Sequence, residues 1–247
     1  MNKITSFAAA AVVSLFSAAS AEDASVSGDI GAKDALIAAI DKAVGHGDQR
    51  WAFTMRRTQY EKDRADTYTL RFDPRRPPKE RWSLLEPTED SLSSDEKKEF
   101  KNIRKNAVNA DGQLVYDKLS VDIDTAQIRS EDADRAELLV RSLDDSIPQK
   151  MRDAVDMVLT VNKPARYVET VALRAREPFK PAPVAKLETF MQIQHYAPLD
   201  DGGPAILRKS EAEASGKAMF RAFNSKSLTE YFDFEAVPAA EVAAVDQ

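Results

Sequence analysis

The chain has 247 residues, 35 Lys and Arg against 41 Asp and Glu, a formal net charge of −6, and 43 % hydrophobic residues with 8 Gly and 12 Pro. It has no cysteine, which excludes disulfides, a thiol nucleophile, a Cys-ligated metal and a lipidated cysteine behind a leader. The acidic balance argues against generic nucleic-acid binding, and the composition is that of a globular chain.

Lys3, the apolar run from Phe7 to Phe16 and the small-x-small triplet Ala19-Ser20-Ala21 predict a secretory signal peptide over residues 1–21, cleaved after Ala21. Export from a Gram-negative cell would make the protein periplasmic. Cleavage removes one charge, Lys3, and leaves 247 − 21 = 226 residues with net charge −7, enough to bury a sizeable core. No later run reaches the roughly 18 to 20 uninterrupted apolar residues of a membrane helix, so no transmembrane segment is expected in the mature chain.

Residues 22–33 form a polar, flexible lead. Asp34 can cap a helix in which Leu36, Ile37, Ile40, Ala43 and Val44 recur at three- and four-residue spacing and which Gly45 and Gly47 end. Trp51, Phe53 and Met55 alternate with Ala52, Thr54 and Arg56, predicting a strand to about Tyr60. A polar hairpin leads to the next, where Tyr68, Leu70 and Phe72 share one face. Asp73-Pro74 stops it; with Pro77 and Pro78 this predicts a rigid basic turn before Arg81-Trp82-Ser83-Leu84 resumes the alternation.

Residues 91–105 are rich in charge and predict a solvated helix or mobile insertion capped by Ser93 or Ser94. Asp111-Gly112 is a turn before a short strand from Gln113 to Tyr116. Leu119, Val121 and Ile123, then Ala136, Leu138 and Val140, suggest a second hairpin; a short helix lies within Asp145 to Met157 and a strand follows over Met157 to Val161. Two further strands stop near Pro178 and Pro198, and Asp200-Asp201-Gly202-Gly203-Pro204 is the strongest turn signal. Beyond it, Ile206–Glu213, Lys217–Asn224 and Leu228–Ala236 are expected as three strands with a turn at Asn224 to Ser227. The expected organisation is a single β-rich domain over 34–237 and a disordered tail over 238–247.

Chemistry is sparse. His46 and His195 form no ligand motif, so neither a metal nor any other cofactor is expected. The carboxylate pairs Asp122 with Asp124, Asp144 with Asp145, and Asp200 with Asp201 fall in polar turns, and no nucleophile elbow or phosphate-binding glycine pattern occurs, so no enzyme is expected. Two clusters remain. Arg71, Arg75, Arg76, Lys79 and Arg81 surround the proline turn, where they either engage a headgroup or acidic partner or protect the sheet rim. Trp51, Phe53, Met55, Tyr68, Leu70, Phe72, Trp82 and Leu84 share one face, either as core or, where a curled sheet leaves space, as the lining of an acyl-chain cavity; alternation alone favours core.

The order of a leader, a short helix, the Trp51-Ala52-Phe53-Thr54 strand, Leu70-Arg71-Phe72-Asp73-Pro74 through Pro77 to Arg81-Trp82, and Asp111-Gly112-Gln113-Leu114-Val115-Tyr116 resembles the periplasmic lipoprotein carriers of the LolA/LolB-like superfamily, which includes RseB-like sensor domains. The resemblance implies an α+β, mainly antiparallel fold: a curved, incompletely closed β-barrel, or half-barrel, with short covering helices. It implies a non-catalytic carrier for a lipid or lipoprotein acyl chain. The alternative is an envelope interaction or sensor module docking an acidic envelope protein through the Arg71 to Arg81 turn. The 91–105 insertion departs from the carrier pattern.

Overall fold

Gly31 caps the first helix, α1 (Ala32–Val44), which puts Asp34 in its first turn rather than at its cap and Lys42 in its last, both complementing the helix dipole. Ala32, Ala35, Leu36, Ala39 and Ala43 form its buried stripe. The computed structural model describes residues 30–61, 64–94, 96–98, 100–101, 112–116, 121–141, 143, 149–199, 203–219 and 221–243. The expected signal peptide, Asp111, Leu119 and the pairs Asp144 with Asp145 and Asp200 with Asp201 lie outside these residues.

Among the described residues eleven strands make one antiparallel sheet. They are β1 (Arg50–Glu61), β2 (Arg64–Phe72), β3 (Trp82–Glu86), β4 (Gln127–Glu131), β5 (Arg135–Val140), β6 (Val155–Asn162), β7 (Tyr167–Ala175), β8 (Phe179–Ala182), β9 (Ala185–Pro198), β10 (Ala205–Ala218) and β11 (Arg221–Val237). The order is β3-β2-β1-β11-β10-β9-β7-β6-β5-β4, with β8 pairing β9 beyond the end of β7, and the sheet is not closed. Two short helices are described in full, α2 (Gln149–Arg152) before β6 and α3 (Ala239–Ala243) after β11, and residues 94, 96–98 and 100–101 in the β3–β4 connection are helical as well. No helix among the described residues is long and apolar enough to cross a membrane.

Register assigns the faces. α1 lies against β5, β6 and β7, covering a core that includes Leu138, Val140, Val155, Leu159, Val161, Val168 and Val171. We call this face inner. At the other end of the sheet the same face carries a second core built on β1, β2 and β3. Described residues of the β3–β4 connection pack on both cores, Leu92, Phe100, Leu114 and Val115 on the second and Tyr116 and Ala126 on the first. Within it Ser93 and Glu96 exchange hydrogen bonds, Ser93 N–H to Glu96 Oε2 at 2.7 Å and Glu96 N–H to Ser93 Oγ at 3.3 Å, the capping box that the expected Ser cap foreshadows.

Several elements differ from the sequence expectation. Val121 makes only an isolated bridge to Leu143 and Ile123–Thr125 is a single 3-10 turn, so the second hairpin is β4 with β5. Asp132 makes that turn, its carboxylate accepting from the N–H groups of Asp134 and Arg135 at 2.8 and 2.7 Å. Residues 113–116 are not a ladder strand. The last third has two long strands in place of three shorter ones. The reversal falls at Met219, with φ 48°, and β11 continues through Ser225 and Ser227, which pair with Ala214 and Ala212. After Pro238, where fraying is expected, α3 instead places Val242 against Ala52 and Val237.

Tyr116 joins three elements. Its hydroxyl accepts the Val168 N–H at 2.8 Å and donates to the Ala39 carbonyl at 3.4 Å, and burial pushes its phenol up. Tyr116→Phe should lower the unfolding free energy by about 1–3 kcal/mol, because the buried Val168 N–H loses its acceptor. A lower urea midpoint at constant m-value is the expected reading, and an unchanged midpoint would show the bond to be dispensable.

Candidate functional site

All eight residues of the predicted apolar stripe meet. Trp51, Phe53, Met55, Tyr68, Leu70, Phe72 and Trp82 are buried in the second core and half-buried Leu84 packs against it. Cross-strand pairing explains the convergence, since Phe53 faces Phe72, Met55 faces Leu70, Leu70 faces Leu84 and Phe72 faces Trp82. Ring centroids are 5.1 Å apart for Phe53 and Phe72, 5.0 Å for Phe72 and Trp82, and 5.7 Å for Phe53 and Trp82. The stripe is packed wall, with Leu92, Phe100, Leu114 and Val115 upon it. The indole Nε1 atoms of Trp51 and Trp82 are buried there without an acceptor among the described residues.

The basic turn is a clamp across the outer face. Arg75 donates from Nε to Asp73 Oδ1 at 2.8 Å and from Nη1 to Glu235 Oε1 at 2.6 Å. Arg71 donates from Nη1 to the Asp233 carbonyl at 2.8 Å and meets Glu235 at 3.4 Å. Burial opposes ionisation of Asp73, yet the hydrogen bonds from Arg75 hold its carboxyl below the usual range. Those bonds to Asp73 and Glu235 push the Arg75 guanidinium up. Arg81 is buried and donates to the Arg76 carbonyl at 3.3 Å, whereas Arg76 and Lys79 are exposed. The cluster therefore fastens the β2–β3 turn to the end of β11, and Arg76 and Lys79 are the members that face solvent.

His46 follows the end of α1, where its N–H donates to the Ala43 carbonyl. His195 pairs with Glu211 at 3.0 Å on the outer face, where Glu211 also meets Lys209 at 2.8 Å. Asp122 and Asp124 flank Ile123 in its 3-10 turn.

Between the two cores the inner face changes character. One lateral row follows directly from the register: Tyr68, Arg57, Thr229, Ser210, Gln194, Val171, Leu159, Leu138. Its ends are buried, but Arg57, Thr229, Ser210 and Gln194 are half-buried. The neighbouring row of Gln192, Ala212 and Ser227 has the same character. Tyr231 and Tyr196 stand beside these rows, at the margin of the second and first cores respectively. Both keep accessible surface, yet surrounding protein pushes both phenols up, Tyr231 to about 12. The Tyr196 hydroxyl donates to Gln194 Oε1 at 3.2 Å, and its ring meets Tyr116 edge-on at 5.0 Å.

Arg57 and Arg208 are two further half-buried arginines of this region. Arg57 acts electrostatically on its phenol and makes no hydrogen bond or ion pair among the described residues. Arg208, at the bulge between Leu207 and Lys209, stacks over Phe234 at 4.7 Å and donates to the Pro198 carbonyl at 3.0 Å; burial alone lowers its pKa, with no carboxylate opposing it. Arg56, next in sequence to Arg57, points to the opposite face, stacks over Phe232 at 5.2 Å and meets Glu230 at 3.9 Å. Asp66, which shares the inner face with Tyr68, is held by Arg64 at 2.5 Å.

Sequence reasoning missed Arg57, Tyr196, Arg208 and Tyr231. The signal for Arg57 was present, because the alternation that places Phe53 and Met55 inward places Arg57 inward as well. No family model, curated protein or solved structure matches the chain.

Proposed function

We propose that this is a non-catalytic binding protein of the cell envelope, exported by the leader at residues 1–21, which carries a lipid or lipoprotein acyl chain along a curved inner sheet face. The observation that carries this reading is the half-buried middle of that face, flanked by two buried cores and edged by Tyr196 and Tyr231. Small Ser210, Ala212 and Ser227 stand there, where the flanking cores carry large apolar side chains. The resemblance to the lipoprotein carriers, which implies an incompletely closed antiparallel barrel with short covering helices, is supported in its coarser part by the unclosed antiparallel sheet with α1 packed on β5, β6 and β7. The eight residues of the stripe act as the wall of this trough, and the Arg71 to Arg81 turn secures its rim.

Native mass spectrometry of the protein after incubation with phosphatidylethanolamine–phosphatidylglycerol vesicles should show a species heavier by one lipid, recoverable by solvent extraction. Protein that takes up no lipid under these conditions would overturn the reading.

A further inference from the structure

The central strands of the sheet outrun their neighbours at one end. The register of β1 with β11 closes at Tyr60 with Lys226, so residues 221–225 extend about 15 Å further, paired with β10 alone. On the other side β7 leaves β9 after Arg174 with Met191, and short β8 takes its place. Strands β8 to β11 thus form a projecting finger. Two turns meet at its tip, where the Met219 N–H donates to the Val184 carbonyl at 2.9 Å. Val184 and Met219 are each 65 % exposed, more than any other large hydrophobic side chain among the described residues. Met219 also holds φ 48°, a turn position that Gly or Asn occupies at lower cost. The charge there is equally one-sided. Residues 180–186 and 217–221 contain Lys180, Lys186, Lys217 and Arg221 and no Asp or Glu, in a chain of net charge −6. All four cations are exposed, and Lys186 and Lys217 stand directly opposite each other in the β9–β10 register, where like charges repel. Glu188 meets Lys186 at 3.0 Å, whereas the other three make no ion pair among the described residues.

We propose that this tip docks on an anionic lipid surface, with Val184 and Met219 entering the interface and Lys180, Lys186, Lys217 and Arg221 at the level of the headgroups. Two apolar side chains alone hold a protein at a bilayer weakly, and the four cations around them supply the second attraction that makes the contact stable. An acidic protein surface would use the cations but gives no reason for an apolar pair to stand foremost at the end of a projecting hairpin. The docking stands apart from the carrier reading, although the strands are shared. β9, β10 and β11 carry Gln192, Ala212 and Ser227 on the inner face and run on to the tip, so docking would bring the half-buried middle of that face within about 20 Å of the bilayer.

The test is sedimentation of the protein with phosphatidylcholine vesicles made with and without phosphatidylglycerol. Wild type should pellet with the anionic vesicles, stay in solution with the neutral ones, and be released at about 0.5 M salt. Lys217→Gln combined with Arg221→Gln should weaken binding about thirtyfold, and Val184→Asn combined with Met219→Asn at least about tenfold. Asn suits the φ of Met219, and an unchanged urea midpoint shows that each variant is folded. The chain has no cysteine, so Met219→Cys and Ile128→Cys each create one place for an environment-sensitive dye. Ile128, 50 % exposed on the distant edge strand β4, is the control. Dye emission should shift to the blue on anionic vesicles at position 219 and stay unchanged at 128. Absence of vesicle binding, variants that bind as wild type does, or a shift at 128 without one at 219 overturns the docking tip. Polyglutamate bound as tightly as the vesicles, with no blue shift at 219, assigns the tip to an acidic protein and overturns the lipid surface. None of these outcomes touches the carrier reading, which is decided by the lipid retained per protein in native mass spectrometry.

Discussion

Phe72→Ala should cost about 3–5 kcal/mol of unfolding free energy, the range for deleting a fully buried aromatic ring. Phe72 is completely buried near the end of β2, with Phe53 facing it from β1 and Trp82 from β3. Both neighbours are rings carried on paired strands and already held by one another at 5.7 Å, so they cannot slide together to fill the space. The Gly112 backbone closes another side: a Cβ built there would come within 2.8 Å of the Phe72 ring. Equilibrium urea unfolding should show a large fall in midpoint, and Phe72→Leu should recover most of it because a smaller cavity remains. A loss below about 1 kcal/mol would mean that the ring cluster is loosely packed.

Gly216→Val is expected to be comparably damaging for a different reason. A Cβ at Gly216 would lie 2.1 Å from the Lys186 carbonyl oxygen and 3.0 Å from the Leu187 Cα, both backbone atoms of the neighbouring strand. Flexible side chains can step aside, but this overlap is relieved only by separating β9 from β10 where their register already shifts between Ser215 and Gly216. The expected cost is about 2–3 kcal/mol or more, together with faster amide exchange in residues 185–189 and 213–218. Gly216→Ala should behave similarly, because the overlap begins at the Cβ. Unaltered exchange protection in both segments would contradict this close approach.

The parts legible in the sequence were those in which one local rule decides the outcome. Trp51-Phe53-Met55 and Tyr68-Leu70-Phe72 alternate cleanly because one side of each strand is core, and register then brings all eight stripe residues together. The proline turn was legible for the same reason. Its function was not, because nothing local shows that Glu235, 160 positions from Arg75, returns beside it. β11 was divided at Asn224 to Ser227 because polar residues resemble a turn when a fully apolar inner face is assumed. These serines belong to the half-buried middle of the sheet, where a strand needs no large side chain. Arg57 was passed over because it sits in an Arg56-Arg57 pair that reads as surface charge, although the two side chains take opposite faces. Residues that break the pattern used to find the fold are thus the ones that sequence reasoning passes over.

The place of β11 has a consequence for how the sheet is built. β1 to β3 form one meander early in the chain and the strands from β4 onward form another, and the pairing of β1 with β11 joins them. A chain made from its N-terminus therefore holds two incomplete sheets, each with an unsatisfied edge, until its last long strand is available. The joining contacts span most of the sequence, as in Arg50 with Val237. Closing so long a loop makes this step slow compared with forming either meander. Loss of even the final strand would separate the two cores rather than trim an edge. A chain arranged in this way stays open to unfolded-state handling until its last long strand is available.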